Sequence, residues 1–433
     1  MAHYGIICPE YAGHLFSVGN LGVALMHRGH RVTVFASARS ADTIRGLGLG
    51  FHQLPIDVSS HLPWTLLGQL AYFVGARGFI KYRNQLTLQA KDYLRTLPAA
   101  LEVHALDGLI VDQIVPAGAT VAEHLDLPYV TVCSAIPTDE DPNISPVYVP
   151  LGVPETKLDR AKVQLAYAGM RWVYRPVRLV LNRQRRAWGL PELGHIDEST
   201  SPLAQIVQFP EAFDFPARRP PDHLHYVGHL SATRPQSVED FPWERLDGRP
   251  LIYASAGTIA IERNGKALRR ILEACVGVDA QLVMGLGQWV DGGGVRNLVQ
   301  PDIMPDNAIV VGFAPQIKLL ERADLMITHG GINSVNEALL NGVPLVVMPR
   351  DGDQPGAAAR VAAAGVGLTT SFDRTPAEQL RKLIVRALND TDIRAKAKRM
   401  QQAISSAGGA IHAAEITERA LQTRRPVLRR EFA

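Results

Sequence analysis

Twice along this chain, short uncharged runs suited to buried strands alternate with stretches of helical periodicity, and this alternation limits the possible folds most. Tyr4-Gly5-Ile6-Ile7-Cys8 ends at Pro9, a helical pattern follows over 15–28 with Gly29 as its C-cap, and Arg31-Val32-Thr33-Val34-Phe35 forms the next strand. The unit repeats as Leu109-Ile110-Val111-Asp112, a helix over about 117–125, and Tyr129-Val130-Thr131-Val132. Uncharged strands joined through helices imply a parallel sheet covered on both faces. After residue 250 the pattern restarts, with strands expected at 251–255, 281–284, 309–311, 325–328 and 345–348. The 433 residues are too many for one ordinary core. The expected fold class is α/β, with two doubly wound domains.

Residues 1–230 form the expected first domain, 231–250 a linker marked by Pro235, Pro242, Trp243 and Pro250, and 251–405 the second domain. Residues 406–433 hold a final helix and a basic tail expected to be loose. Stretches 52–96 and 137–202 break the rhythm and read as insertions on the first sheet's loops, where substrate pockets commonly form. Ligands of such sheets bind at the carboxyl ends of the strands, near the point where strand order reverses. Two domains in series therefore set two ligand edges across a cleft, one for a donor and one for an acceptor.

The formal charge of +3 gives no field that points to nucleic acid, and none is expected as a partner. Cys8, Cys133 and Cys275 are scattered and odd in number, which argues against a disulfide framework or a structural metal and for a reducing, cytoplasmic setting. The first residues read as a strand and not as a signal peptide. The longest uncharged stretch, 62–76, is too short to span a bilayer and is broken by Gly68 and Gly75. Gly46-Leu47-Gly48-Leu49-Gly50 does not join a strand to a helix, so it is no dinucleotide fingerprint.

The segment 311–354 carries the chemistry. A strand runs into His329-Gly330-Gly331, and a helix opens near Asn333-Ser334. Glycines there let backbone N–H groups approach a phosphate, the helix N-terminus is partly positive, and His329, Asn333 and Ser334 add donors. A diphosphate is the natural guest. Glu337, one turn on, suits a ribose diol; Phe313 suits stacking on a base, and Gln316 a base or ribose. Asp353-Gln354 offers an acceptor and an amide to sugar hydroxyls. Asp351-Gly352-Asp353 matches the Asp-x-Asp pattern of metal-dependent sugar transferases. That reading is set aside because the helix N-terminus, Thr258 and His329 can neutralise the diphosphate, so neither metal nor cofactor is expected. An isolated His-Gly-Gly would mean only a tight turn; the whole spacing carries the reading.

These residues resemble the signature of the family-one, UDP-dependent glycosyltransferases. Phe313-Ala314-Pro315-Gln316, Thr328-His329 with Gly331 and Asn333-Ser334, Glu337, Gly342-Val343-Pro344 and Asp353-Gln354 match it part by part. Ser255-Ala256-Gly257-Thr258 resembles the family's phosphate-binding turn. The resemblance covers nearly the whole chain and implies two Rossmann-like domains facing across a cleft (GT-B), the first for an acceptor, the second for a nucleotide sugar. It also implies a final helix that crosses back to the first domain. Two positions depart from the plant signature: Phe313 and Ile332 stand where tryptophan is usual. Shorter stretches, among them Asp214-Phe215-Pro216 and Asp353-Gln354-Pro355-Gly356, are similar to those of bacterial carotenoid (zeaxanthin) glucosyltransferases. They imply UDP-glucose as donor and a large lipophilic or aromatic alcohol as acceptor.

By itself His14 reads as a capping or surface histidine and Asp112 as a strand-end carboxylate. The resemblance implies instead that His14, in the turn Tyr11-Ala12-Gly13-His14, is the general base, that Asp112 holds it, and that Gly13 borders the donor. The expected reaction is inverting O-glycosyl transfer. The rivals are a UDP-sugar epimerase of the same architecture, which needs no acceptor pocket, and a non-catalytic nucleotide-sugar-binding protein. Trp64, Leu67, Tyr72 and Phe73 either line an acceptor channel or form a small core. Arg171, Arg175, Arg178, Arg183, Arg185 and Arg186, interleaved with Trp172, Tyr174 and Trp188, form either a solvated face or a peripheral membrane contact.

Overall fold

A computed structural model describes residues 1–56, 75–230, 241–255, 261–286 and 305–431. The first domain runs β1 (His3–Ile7), α1 (Ala12–His27), β2 (Arg31–Ala36), α2 (Ala41–Gly46), β3 (Gly50–Gln53), α3 (Gly75–Glu102), β4 (Gly108–Asp112), α4 (Pro116–His124), β5 (Tyr129–Cys133), α5 (Lys157–Ala187), β6 (Gln205–Val207) and β7 (Leu224–Tyr226). The second runs β8 (Leu251–Ser255), α6 (Ile261–Cys275), β9 (Gln281–Gly285), β10 (Ala308–Val311), α7 (Gln316–Leu320), β11 (Leu325–Thr328), α8 (Ile332–Leu340), β12 (Leu345–Val347), α9 (Gln354–Ala364), β13 (Gly367–Thr369), α10 (Ala377–Asn389) and α11 (Thr391–Ser406). A last helix, α12 (Gly409–Thr423), follows.

Both sheets are parallel wherever strands pair. Their orders are β3-β2-β1-β4-β5-β6-β7 and β10-β9-β8-β11-β12-β13. Strand order reverses between β1 and β4 in one sheet and between β8 and β11 in the other, so the carboxyl ends of those four strands are the expected ligand edges. The uncharged runs read from the sequence are these central strands, and β1, β4, β5 and β9 are buried at every residue. The strands that escaped the reading, β3, β6, β7 and β13, have three or four residues each, too few to show a period.

Several local expectations change. Helix α1 begins at Ala12 and not at 15, because the Leu15 N–H already bonds to the Tyr11 carbonyl at 2.9 Å; Gly13 and His14 are thus in its first turn. Gly29 does close it, at φ 87, with its N–H on the Met26 carbonyl. Much of the insertion 137–202 is the 31-residue helix α5, started by a reciprocal cap between Thr156 and Asp159. The glycine run after α2 leads from helix into β3, the reverse of a dinucleotide turn. The tail is not loose: Val427 is buried, its N–H bonds to Leu203 O, and its carbonyl lies 2.9 Å from His225 Nε2. Helix α12 crosses to the first sheet, where Ala413, Ile416, Ala420 and Leu421 join a core with Tyr4, Leu21 and Val130. Another core is shared between the domains, with Phe209 and Phe213 of the first packed among Val335, Leu339 and Val361 of the second. Among the described residues no helix is long and apolar enough to cross a membrane.

Candidate active site

The two switch points carry the candidate residues. Asp112 ends β4 and is fully buried; His14 projects from the first turn of α1, just after β1. Their side chains meet at 2.8 Å, His14 Nδ1 to Asp112 Oδ2, and a carboxylate can only accept, so Nδ1 carries the proton and Nε2 keeps its lone pair. The other oxygen, Asp112 Oδ1, accepts the Ile114 N–H at 3.0 Å, which fixes the carboxylate. Burial works against a charge on His14, but Asp112 and, further off, Asp353 outweigh it and raise its pKa above the ordinary histidine value.

Across the cleft, β11 turns through His329-Gly330-Gly331 into α8. Gly330 has φ 90, and a Cβ there would stand 2.7 Å from Val347 Cγ1, so the turn admits glycine alone. No side chain caps α8 at Gly331, and its first-turn N–H groups face the turn. Burial pushes the His329 pKa down to about 4, with a Ser255 backbone contact opposing. The lowered pKa favours the neutral ring, which offers the turn a hydrogen-bonding group.

Behind the turn, Tyr253 Oη donates to Gln316 Oε1 at 3.1 Å, and Gln316 Nε2 donates to Glu337 Oε2 and stands 3.4 Å from Ser334 Oγ. Gln316 and Glu337 are buried together, Ala314 is buried beside Gly285, and the Phe313 ring is 43% exposed on the rim. Asn333 reaches over to the first domain. Its Oδ1 is 3.1 Å from Ser17 Oγ, and a Cβ on Gly13 would meet its Nδ2 at 2.7 Å. Asp353 Oδ2 accepts the Ile136 N–H at 3.2 Å, while burial raises the Asp353 carboxyl above its usual range. Gln354 is turned inward: its Oε1 accepts the Arg350 and Asp351 N–H groups, and its Nε2 donates to Asp351 Oδ1. The carboxylates of Asp351 and Asp353 are thus held by different donors. Among the described residues no group of three or more His, Cys, Asp or Glu is placed to hold a metal ion. Thr258, Trp64, Leu67, Tyr72 and Phe73 lie outside the described residues.

A zeaxanthin glucosyltransferase of Pantoea ananas is 32% identical to this chain over 99% of it and 98% of its own length. A second, of Pseudescherichia vulneris, is also 32% identical, over 97% and 98%. The chain belongs to the UDP-dependent glycosyltransferase family. The family described as erythromycin biosynthesis protein CIII-like, C-terminal domain, matches residues 269–419 of this glycosyltransferase, which include the His329 turn and Glu337. The calicheamicin glycosyltransferase CalG4 superposes on it with a TM-score of 0.74 at 22% identity, covering 98% of this chain and all of the other. The glycosyltransferase VinC, solved in complex with dTDP, gives 0.67 at 18%, covering 98% and 100%. These two establish the shared GT-B fold.

The structure of this glycosyltransferase adds a cavity that the sequence did not reveal. It lies between α3, α4 and α5, walled by Tyr93, Ile114, Met170, Tyr174, Val177 and Ile196, and it reaches Gln113, next to Asp112. Glu140 and His195, 3.0 Å apart, edge it. Its walls come from distant segments, so no local motif announces it. The arginine cluster, in turn, is not one face: Arg185 is buried against Glu123, Arg171 and Arg186 pair with Glu140 and Glu192, and Arg178 donates to the Gly194 carbonyl. Trp188 stacks on His124 at 4.0 Å, and Tyr174 bonds to Tyr148.

Proposed function

We propose that this glycosyltransferase moves glucose from UDP-glucose to a hydroxyl of a lipophilic alcohol, a carotenoid such as zeaxanthin or a comparable apolar or aromatic acceptor, with inversion at the anomeric carbon. The observation that carries this is the 2.8 Å bond between His14 and Asp112, which leaves His14 Nε2 as a base in the turn that touches Asn333 of the donor side. In the reaction, His14 Nε2 takes the acceptor's hydroxyl proton as that oxygen bonds to C1 of the sugar. The bond from C1 to the β-phosphate oxygen breaks, and UDP leaves with the electron pair. Asp112 fixes the imidazole tautomer and stabilises the imidazolium, as the carboxylate of a hydrolase triad does. Attack opposite the leaving group turns an α-linked donor into a β-glycoside.

The donor roles follow the family signature residue by residue. The first turn of α8 with Gly331, Asn333, Ser334 and the His329 ring receives the diphosphate, with Thr258 as a further donor. Glu337, oriented by Gln316, receives the ribose, Phe313 and Ala314 the base, and Asp353 with Gln354 the sugar. No metal is assigned, since the leaving diphosphate has these donors and the Asp351 and Asp353 carboxylates each accept from a donor of their own. Glucose and an apolar acceptor are both favoured by the names of the two 32%-identical relatives. Three buried, unpaired cysteines support a cytoplasmic setting.

The test is UDP release from UDP-glucose, with mass detection of products, over a panel of zeaxanthin, sterols and flat phenols. Acceptor-dependent UDP release with a product heavier by one hexose is expected. Epimerised donor formed without any acceptor, or bound UDP-glucose that is never consumed, would overturn the proposal.

A further inference from the structure

Helix α5 carries exposed apolar side chains outside its buried face, and one of them, Trp172, also has the Arg83 guanidinium of α3 over its ring. Val163, Tyr167, Val177 and Leu181 form its buried face. Yet Leu158, Leu165, Trp172 and Leu179, spaced by seven residues, are 65%, 75%, 50% and 53% exposed. Seven residues are nearly two helical turns, so these four form one line along the outer surface. Leu151 and Val153, just before the helix, are exposed as well. A solvated helix does not need such a repeat, and exposed apolar residues kept in register over three heptads point to a contact.

The charges beside it select the occupant. Helix α5 has nine Lys and Arg residues and a single acid, Asp159. Lys157, Arg160, Arg175 and Arg183 are exposed and have no carboxylate within ion-pair distance among the described residues. A second copy of the same strip would bring cations against cations, without the alternating charges that flank a paired helix. An anionic lipid surface receives both the apolar line and the cations.

We propose that α5 lies flat on an anionic membrane through Leu158, Leu165, Trp172 and Leu179. The opposite side of the helix supplies Met170, Tyr174 and Val177 to the cavity that Gln113 lines. One helix thus faces lipid on one side and that cavity on the other, an arrangement suited to an acceptor that resides in a bilayer. That purpose rests on the proposed lipophilic acceptor; the contact itself does not.

Flotation of the full chain with vesicles tests the contact without reference to activity. The wild type is expected to float with phosphatidylcholine vesicles holding roughly a quarter phosphatidylglycerol, and to stay behind with phosphatidylcholine alone. A Leu165→Gln/Trp172→Ser variant, with an unchanged thermal melt, should lose about tenfold in bound fraction, and Arg175→Glu/Arg183→Glu should lose a comparable part. Failure of the wild type to float, or equal flotation of the Leu165→Gln/Trp172→Ser variant, overturns the proposal. So does a lipid-free dimer in sedimentation velocity that the same variant dissolves, since a second copy would then occupy the strip.

Discussion

Arg360 of α9 and Asp214 of the first domain form a buried ion pair across the domain boundary. The Arg360 Nε and Nη2 atoms lie 3.0 and 2.8 Å from Asp214 Oδ1, and both side chains are almost fully buried. Asp214 also accepts from Tyr226 Oη at 2.8 Å, and the Arg360 guanidinium lies over the Phe215 ring. The same helix starts at Gln354, directly after Asp353, whose carboxylate accepts from Ile136. Helix α9 is therefore fastened to the first domain at both its first and second turns, and this holds the donor edge against His14.

Arg360→Ala removes one side of that pair and leaves Asp214 with Tyr226 and Arg218, the latter 3.6 Å away. Breaking a buried pair costs about 3–5 kcal/mol, and the remaining partners place the expected loss near the lower end. Urea unfolding should show it as a lowered midpoint, together with reduced turnover. An unchanged midpoint would mean that the pair does not join the domains.

Two glycines in helices should respond in opposite directions to alanine. In α9, a Cβ on Gly356 would come 2.8 Å from Val147 O and 2.9 Å from Val147 Cα, backbone atoms that cannot swing aside. Overpacking of about 1–3 kcal/mol outweighs the roughly 1 kcal/mol that alanine contributes to a helix, so Gly356→Ala should lower the melting temperature. Gly169 in α5 would meet nothing within 4 Å, and Gly169→Ala should raise it. Thermal melts of the pair decide.

What the sequence made legible divides along physical lines. The central strands were visible because burial on both faces leaves runs such as Leu325–Thr328 without charge, and His329 to Glu337 were visible because phosphate chemistry needs a local turn. The pairing of His14 with Asp112 was not local. It depends on β1 and β4 lying side by side, which brings together two residues 98 apart in the chain, and only the resemblance suggested it. The contacts of Asn333 and Asp353 with the first domain, and the cavity walls, depend on how distant segments pack, so no single stretch encodes them.

The pH dependence follows from the raised pKa of His14. The base must be unprotonated, so kcat/KM should fall as pH drops through that raised value, with the acidic limb above the ordinary histidine pKa of about 6.5. Asp112→Asn removes the main group that favours the imidazolium, so the limb should move to lower pH while the plateau rate also falls. His14→Ala should lower turnover by roughly 10²–10⁴-fold with UDP affinity retained. A limb unmoved in Asp112→Asn, or full turnover in His14→Ala, removes the pair from the chemistry.

Glu337 tests the nucleotide end of the site. Its Oε2 takes the Gln316 amide, which is itself held by Tyr253, so the carboxylate is oriented before any ligand arrives. A ribose offers two vicinal hydroxyl donors to such a group and a 2′-deoxyribose only one. Hydrogen bonds to a charged acceptor contribute about 1.5–3 kcal/mol each, so UDP should bind at least about tenfold more tightly than 2′-deoxy-UDP. In Glu337→Ala the UDP affinity should fall and that preference should disappear, because what the carboxylate recognises is the second hydroxyl. Calorimetric titration of both ligands into both proteins measures all four constants. Equal binding of the two ligands by the wild type, or a preference that survives in Glu337→Ala, would show that Glu337 serves only to hold Gln316 in place.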